Sequence, residues 1–174
     1  MITRPAAGTY DAYYQSYIDE VKSDPILILE SQVLDFKAFM SEIPAEKEEY
    51  RYAANKWSVK EVIGHIIDTE RIMTCRALCI ARGEKLPLPA FEEDDYVKVA
   101  NFNRRTLYDL GHEFGAVRSA TLALFKSLTA SDLDRSGIAN NNKVTARAIL
   151  YVIAGHHAHH ENVLRERYLQ EISS

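Results

Sequence analysis

Three histidines have types and spacing suited to holding a metal ion. His156 and His160 lie four residues apart in a periodic apolar stretch, on the helical face that Ile149 and Ile153 also occupy. Side chains four residues apart on a helix are neighbours, so both imidazoles can converge on one ion. A zinc site needs at least a third ligand, and His65, at the edge of an earlier apolar face, can supply it. We therefore predict one divalent metal ion bound by His65, His156 and His160.

A structural role is the alternative for these histidines. A single histidine on an apolar face is more often a hydrogen-bonded core residue than a ligand, and for His65 by itself that interpretation is favoured. The pair His156 and His160 favours a metal, because two neighbouring core imidazoles must be desolvated and an ion offsets that cost. His157 points about 100° away from His156 and is predicted to meet solvent. His159 could substitute as a ligand or support one.

Particular residues argue against two other kinds of metal site. A zincin protease carries glutamate directly after the first histidine of its motif, but His157 follows His156 here. A carboxylate-bridged di-iron bundle needs Glu-x-x-His motifs, and no glutamate lies three residues before any of the three candidate ligands. A mononuclear site is therefore predicted.

Residues around the predicted ligands have weaker patterns. Asp68, one turn after His65, could orient that imidazole or act as a base, but an exposed carboxylate paired with Arg71 is an equally good interpretation. Asp68 is therefore a candidate only for a supporting role outside the ligands, and no catalytic residue is predicted. Four aromatic residues could line a pocket mouth, although ordinary packing is the more frequent outcome: Trp57, Phe91, Tyr96 and Phe102.

Apolar periodicity predicts the helices that must position these residues. A short helix at about 10–21 precedes a long helix that begins at Asp24 with a proline in its first turn and runs to about 43. The second long helix is predicted to begin at the Ser58 capping box and to end near Arg82. Residues 83–91 contain two prolines and are predicted to form a loop.

Two further helices complete the predicted fold. The third shows a regular apolar stripe to Leu128 and could begin near Asp94, and the last is predicted from Thr145 to about Leu169. A polar connection rich in asparagine separates them. Helical periods throughout, without alternating strands, predict an all-α four-helix bundle with a short extra N-terminal helix. Residues 1–174 are predicted to form a single domain.

Composition narrows the classes of function. The net charge is −4, from 21 basic and 25 acidic residues that are interspersed, so no broad positive surface is expected for nucleic acid or anionic lipid. No apolar run is long enough to cross a membrane and the first residues do not resemble a secretion signal, so a cytoplasmic protein is predicted. Cys75 and Cys79, one helical turn apart, are predicted to be small buried residues rather than redox or metal ligands. His112 is assigned no function.

Two longer motifs resemble the DinB/YfiT-like family of bacterial proteins. Residues 56–71 read KWSVKEVIGHIIDTER, and residues 154–160 read AGHHAHH. The segments LPAFEEDDY at 88–96 and RERYL at 165–169 are also similar, so the resemblance extends over most of the chain. The sequence departs from the family at His157, where such proteins often carry an acidic residue.

This resemblance implies a four-helix bundle, frequently a homodimer, with a three-histidine site that carries over onto His65, His156 and His160. Zinc or nickel is the most expected metal, and iron or manganese also occurs in such sites. Some relatives are transferases that use bacillithiol, mycothiol or other small thiols, and others are called metal-dependent hydrolases or damage-inducible proteins. Family membership therefore indicates the site better than the substrate.

Three functions are compatible with these observations. The leading hypothesis is a transferase whose ion activates a low-molecular-weight thiol for attack on an electrophile. The second is a hydrolase that uses the same ion to activate water. The third is a non-catalytic, stress-related bundle in which the metal stabilises the fold or is absent.

Overall fold

Four long helices form the bundle in a computed structural model that describes residues 1–169. They are α2 (Pro25–Ser41), α3 (Val59–Ala81), α5 (Leu107–Ser127) and α7 (Ala146–Val163). Shorter elements are α1 (Gln15–Glu20), α4 (Glu93–Ala100), α6 (Ala130–Leu133), β1 (Ser136–Ala139) and β2 (Asn142–Thr145). The predicted four-helix bundle with a short N-terminal helix is confirmed. None of the helices within residues 1–169 combines the length and apolar character that crossing a membrane requires.

Local capping explains where the long helices begin. The Asp24 side chain accepts from the amide of Ile26 at the start of α2, and Ser58 forms a reciprocal capping box with Glu61 at the start of α3. The Thr145 side chain accepts from the amide of Ala148 at the start of α7. The first amides of a helix have no partner within it, so these side chains stabilise the observed starting points. The predicted starts at Asp24, Ser58 and Thr145 are therefore confirmed.

The helix α7 lies at the centre of the bundle. It packs against α1, α2 and α3, while α5 packs against α2 and α3. Every residue from Ala148 to His157 is buried, so most sides of this helix are covered. The apolar core is divided into two clusters, one around Ile149 near the hairpin and one around Phe36 and Phe114.

A layer of polar side chains crosses the bundle between these two apolar clusters. All of its members are buried. Each long helix contributes at least one of them: Gln32, Thr69, Glu70, Arg118, Thr121, His156 and His157. Buried polar groups are costly unless they find partners, and within residues 1–169 every buried side-chain nitrogen or oxygen has one. This polar layer surrounds His156 and His157 with hydrogen-bonding side chains.

The structure differs from the sequence prediction around the third helix. Asn101, in the left-handed conformation with φ 55°, ends α4, and Thr106 caps a separate α5. The predicted polar connection contains an antiparallel hairpin in which Ser136 pairs with Thr145. Asn140 and Asn141 both have positive φ, as a tight two-residue hairpin turn requires. The last helix is α-helical only to Val163, after which Leu164–Tyr168 form a π-helical turn.

Close packing at Gly155 places α1 on α7. A β-carbon at Gly155 would lie 1.8 Å from the backbone oxygen of Tyr17, so a larger residue would push the two helices apart. This contact brings the Tyr17 ring to 5.4 Å from the His156 ring, centre to centre. The absence of a side chain at Gly155 therefore brings α1 close to the candidate site.

Candidate metal centre

The three predicted ligands converge in the structure. His65 on α3 and His156 and His160 on α7 have ligand nitrogens that all lie within 4.8 Å of one another. The Nε2 atoms of His65 and His156 are 3.0 Å apart, and the ring centres of His156 and His160 are 4.4 Å apart. Nitrogens bound to a tetrahedral ion at about 2.0 Å lie roughly 3.3 Å from one another. The cluster therefore fits a metal ion with small side-chain adjustments.

Burial keeps these imidazoles neutral, which is the form that binds metals. Burial lowers the pKa of His65 from 6.5 to about 4. The pKa of His160 falls to about 2, first through burial and then through the neighbouring histidines. The same two causes hold the pKa of His156 well below its usual value. Three neutral nitrogens suit zinc, nickel or iron, and they leave a coordination position open for substrate.

Thr69 and two aromatic rings hold the ligands in place. The Thr69 hydroxyl lies 3.4 Å from Nδ1 of His65, the ring nitrogen that faces away from His156. The Trp57 ring lies 4.6 Å from the His65 ring, and Tyr17 contacts His156 edge to face. Such contacts orient imidazole ligands and limit their rotation.

Asp68 does not have either of the partners considered from the sequence. Arg71 pairs with Glu113 of α5 instead of Asp68, and Thr69 is the residue in contact with His65. Burial and the negative charge of Glu113 raise the pKa of Asp68. A supporting role for Asp68 stays a prediction, because the residue in hydrogen-bond distance of Nδ1 of His65 is Thr69.

The prediction that His157 meets solvent is wrong. Its side chain is 1% exposed and belongs to the polar layer, with Nδ1 3.4 Å from a guanidinium nitrogen of Arg118. Its Nε2 lies 3.2 Å from a carboxylate oxygen of Glu161. The 100° angle turns His157 away from His156, but Phe36 of α2 and Phe114 of α5 cover that side of α7 as well.

His159 lies beside the predicted ligands, and the two cysteines differ from expectation. His159 is exposed and is not one of the clustered ligands, although its ring contacts those of Tyr17 and His160. Cys75 is exposed and Cys79 partly exposed, so the prediction that both are buried is wrong. Both cysteines lie on the solvent-facing side of α3, whereas His65 lies on the side that faces the bundle.

In the part of the protein that residues 1–169 form, two cavities with room for a small molecule open onto the histidine cluster. The first, which we call the tyrosine lobe, has a volume of about 320 Å³ and reaches His156. Its other walls include Tyr13, Tyr14, Tyr17, Thr69, Met73, Arg76 and Phe91. The second, the tryptophan lobe, has a volume of about 410 Å³ and reaches His160, and its walls include Tyr52, Lys56, Trp57 and Arg167. Glu93 and Asp94 of α4 line both lobes.

Several site residues were missed or undervalued in the sequence. Trp57 and Phe91 line the lobes, whereas Phe102 is a core residue that packs on Gly64. Thr69 could have been suspected, because it lies four residues after His65 and therefore on the same face of the helix. Glu93 and Arg76 carry no sequence signal, since their roles depend on how α4 and the loop before it fold over α3.

Comparisons with known proteins agree with this architecture. A family model described as the DinB superfamily matches residues 29–164. The structure is similar to YfiT from Bacillus subtilis, described as a probable metal-dependent hydrolase with an unusual four-helix bundle topology. The TM-score is 0.69 at 16% identity, over 94% of this chain and 92% of that chain. No curated protein sequence matches this chain.

Two other solved structures have the same fold. The mycothiol-dependent maleylpyruvate isomerase gives a TM-score of 0.64 at 10% identity, over 84% of this chain and 62% of that chain. The DinB-like protein YjoA from Bacillus subtilis gives 0.57 at 23% identity, over 82% of this chain and 87% of that chain. At these identities the likeness establishes the fold, and function has to be argued from the site.

Proposed function

This chain belongs to the DinB superfamily, and on that premise we propose that it is a metal-dependent transferase. His65, His156 and His160 hold one divalent transition-metal ion, and the site activates a low-molecular-weight thiol for attack on an electrophile. Zinc or nickel is favoured and iron is an alternative, because neutral imidazole suits these metals. Manganese is least favoured, since it prefers oxygen ligands.

The observation that carries this proposal is the convergence of three neutral imidazoles at a junction of two cavities. A structural zinc site is closed by four protein ligands. Here the cluster of ligand groups contains three histidines, and it opens to the tyrosine lobe through His156 and to the tryptophan lobe through His160. A three-ligand site with access from two sides suits a reaction in which two molecules meet.

The chemistry follows from the charge of the site. A bound divalent ion lowers the pKa of a coordinated thiol, which then reacts as the thiolate. Three neutral imidazoles add no negative charge, so the full charge of the ion is left to stabilise the sulfur anion. In the transfer the thiol gives up its proton, its sulfur forms a bond with an electrophilic carbon, and the leaving group departs with the electrons of the broken bond.

Of the two carboxylates that line both lobes, Glu93 and Asp94, we infer that Glu93 receives the proton of the thiol. It lines both lobes, and its pKa is raised first by burial and then by the neighbouring carboxylates of Asp94 and Glu92. A carboxylate with a raised pKa accepts a proton more readily at neutral pH. Glu93 would therefore act as a general base at the boundary of the two cavities.

Hydrolysis is the second candidate, because the same Glu93 could take a proton from water. The ion would supply the same help to water as to a thiol. A hydrolase needs one organic substrate, so it would leave one of the two lobes without a ligand. We therefore place it after thiol transfer.

The test compares protein without a histidine tag, loaded with zinc, with two variants. His156→Ala removes a ligand, and His159→Ala removes an exposed neighbouring histidine outside the cluster as a matched control. Metal content is measured by elemental mass spectrometry. Transfer is followed with cysteine, N-acetylcysteine, glutathione and coenzyme A as thiols and 1-chloro-2,4-dinitrobenzene as the electrophile, which releases chloride as the thioether forms.

We expect near-stoichiometric zinc in the wild type and in His159→Ala, transfer above the protein-free rate in the wild type, and loss of both zinc and transfer in His156→Ala. No bound metal and no uptake of added zinc or nickel would overturn the proposal. Bound metal with hydrolysis of p-nitrophenyl acetate but no thiol transfer would favour the hydrolase. Bound metal with neither activity, but a large loss of thermal stability on its removal, would favour the non-catalytic bundle.

A further inference from the structure

Arg76 of α3 is a buried cation in the wall of the tyrosine lobe. Its side chain is 6% exposed. One guanidinium nitrogen donates to the backbone oxygen of Pro89 at 2.6 Å, and another contacts the sulfur of Met73 at 3.8 Å. The ring of Phe91 lies 5.5 Å from the guanidinium carbon. Within residues 1–169 no carboxylate forms an ion pair with Arg76, so its charge lacks a counter-charge in direct contact.

Arg118, the other buried arginine of the described chain, shows the contrast. Its side chain is 0% exposed, and it binds both carboxylate oxygens of Glu70 at 2.8–3.1 Å. It also donates to the backbone oxygen of Leu29 and to Oε1 of Gln32. A buried guanidinium needs paired charge and several acceptors to offset its desolvation. Arg118 has them within the fold, whereas Arg76 faces a cavity and has one oxygen acceptor in the described part of the chain, the backbone oxygen of Pro89.

The position of Arg76 relative to the histidines sets the distance that a ligand bound at Arg76 must span to reach the metal site. Thr69, Met73 and Arg76 line the tyrosine lobe along one side of α3, and Thr69 contacts His65 at the metal end. Seven residues of α-helix from Thr69 to Arg76 correspond to a rise of about 10 Å. A ligand with an anionic group at Arg76 would therefore place its other end near His156.

The charges around the lobe restrict the ligand further. Glu92, Glu93 and Asp94 also line this cavity, so a second negative group on the ligand would be repelled. Glu93 and Asp94 also line the tryptophan lobe, so they lie where the two cavities meet, whereas Glu92 lines the tyrosine lobe. The remaining walls carry three tyrosine rings and Phe91, which favour a flat aromatic body.

We propose that Arg76 binds the carboxylate of a small aromatic monocarboxylic acid in the tyrosine lobe. A guanidinium offers paired donors that match the two oxygens of a carboxylate. The cavity of about 320 Å³ limits the acid to a small molecule. Its role as one of the two substrates rests on the proposed function, whereas binding of the carboxylate by Arg76 does not require the metal.

The test measures binding of benzoate and of its neutral analogue benzamide by isothermal titration calorimetry or ligand-observed NMR. Wild type is compared with Arg76→Lys, Arg76→Gln and the control Arg167→Gln, which removes a guanidinium from the tryptophan lobe. Each protein is measured after treatment with a chelator and again after zinc loading. Unfolding temperatures are recorded in parallel, because Arg76 also holds the loop at Pro89.

We expect benzoate to bind wild type and Arg167→Gln more tightly than benzamide. Binding should weaken roughly tenfold or more in Arg76→Gln, with a smaller loss in Arg76→Lys, because a charge-assisted paired hydrogen bond is lost. The preference should persist without metal. If Arg76→Gln fails to fold, the preference of the wild type for benzoate and the loss of affinity in Arg76→Lys still test whether Arg76 binds the carboxylate.

Three results would overturn the inference. The first is no binding of benzoate to the wild type at millimolar concentration. The second is a lower unfolding temperature in Arg76→Gln with an unchanged preference for benzoate over benzamide, which would make Arg76 only an anchor for the loop. The third is benzoate binding that requires zinc and is insensitive to Arg76, because the ion would then be the receptor. Arg76-dependent binding in a protein that never takes up metal would sink the proposed function alone.

Discussion

The Nε2 atoms of His65 and His156 lie 3.0 Å apart, although 91 residues separate the two histidines along the chain. At that distance the two nitrogens can share one proton. If each nitrogen carried a proton, the two positively polarised N–H groups would point at each other and repel. The arrangement therefore disfavours protonation and favours a cation that both lone pairs can bind. Metal binding should consequently compete with protons.

Metal should stabilise the fold through the three histidines. Zinc added at about 100 times its dissociation constant is expected to raise the free energy of unfolding by about 2.7 kcal/mol, because it binds the folded state. Differential scanning fluorimetry with and without zinc measures the shift. His160→Ala should abolish most of it and His159→Ala should retain it. Equal shifts in both variants would place the ion elsewhere.

The metal-free protein should lose stability in mild acid. The pKa of folded His65 is about 4, below its ordinary value of 6.5, so between these values the unfolded chain takes up a proton that the folded chain does not. The stabilising contribution is complete above pH 6.5 and is lost as pH falls towards 4, at about 1.4 kcal/mol per pH unit for each such imidazole. Urea unfolding with a chelator present, at pH 7.5, 6.5, 5.5 and 4.5, measures the slope.

The matched variant for this pH dependence is His65→Gln. Carboxylates elsewhere in the protein also titrate in acid, and the difference between the two proteins removes their contribution. The variant should show a slope shallower by about 1.4 kcal/mol per pH unit between pH 6.5 and 4.5. Parallel curves for the two proteins would contradict the assigned pKa shift of His65.

Thr69 should tune the affinity for metal. Thr69→Val keeps the shape of the side chain but removes the hydroxyl that lies 3.4 Å from Nδ1 of His65. Loss of such a contact typically weakens metal binding 10- to 100-fold, and we expect about tenfold because this contact is long. Competition with a fluorescent zinc chelator measures the affinity. Asp68→Asn is the control, and a larger effect there than in Thr69→Val would assign the orienting role to Asp68.

Arg118 should be essential for stability. Arg118→Met leaves the carboxylate of Glu70 buried without its partner, at an expected cost of about 3–5 kcal/mol in the free energy of unfolding. The surface pair of Lys126 and Glu30 is the comparison, and Lys126→Met should cost less than about 1 kcal/mol. Urea denaturation compares them. The double variant Arg118→Met with Glu70→Met should recover part of the loss, and similar values for both single variants would contradict the role of the buried network.

Local interactions made the helices predictable from the sequence. The caps at Asp24, Ser58 and Thr145 satisfy amides within three residues of themselves, so their effect can be identified without tertiary structure. The hairpin at β1 and β2 escaped prediction because four-residue strands are too short to show a period. Its turn depends on the positive φ of Asn140 and Asn141, which the sequence pattern alone marked only as polar.

The histidine pair shows how far the sequence determined the candidate site. His156 and His160 had to be neighbours because helical geometry brings residues four apart together. His65 was predicted as the third ligand from its place at the edge of an apolar helical face, and the family resemblance supported that prediction, although nothing within α3 distinguishes it from a packed core histidine. Only the packing of α3 on α7 brings its Nε2 to within 3.0 Å of His156.

The sequence by itself determined the helices, their apolar faces and the spacing of two ligands, because these depend on residues close together along the chain. Tertiary structure decided which polar residues are buried and what they contact. His157 is buried because other helices cover α7 on the side away from His156. Among residues 1–169, Arg76 faces a cavity without a carboxylate partner, whereas Arg118 meets Glu70. The difference arises because burial and charge pairing depend on distant segments meeting in space.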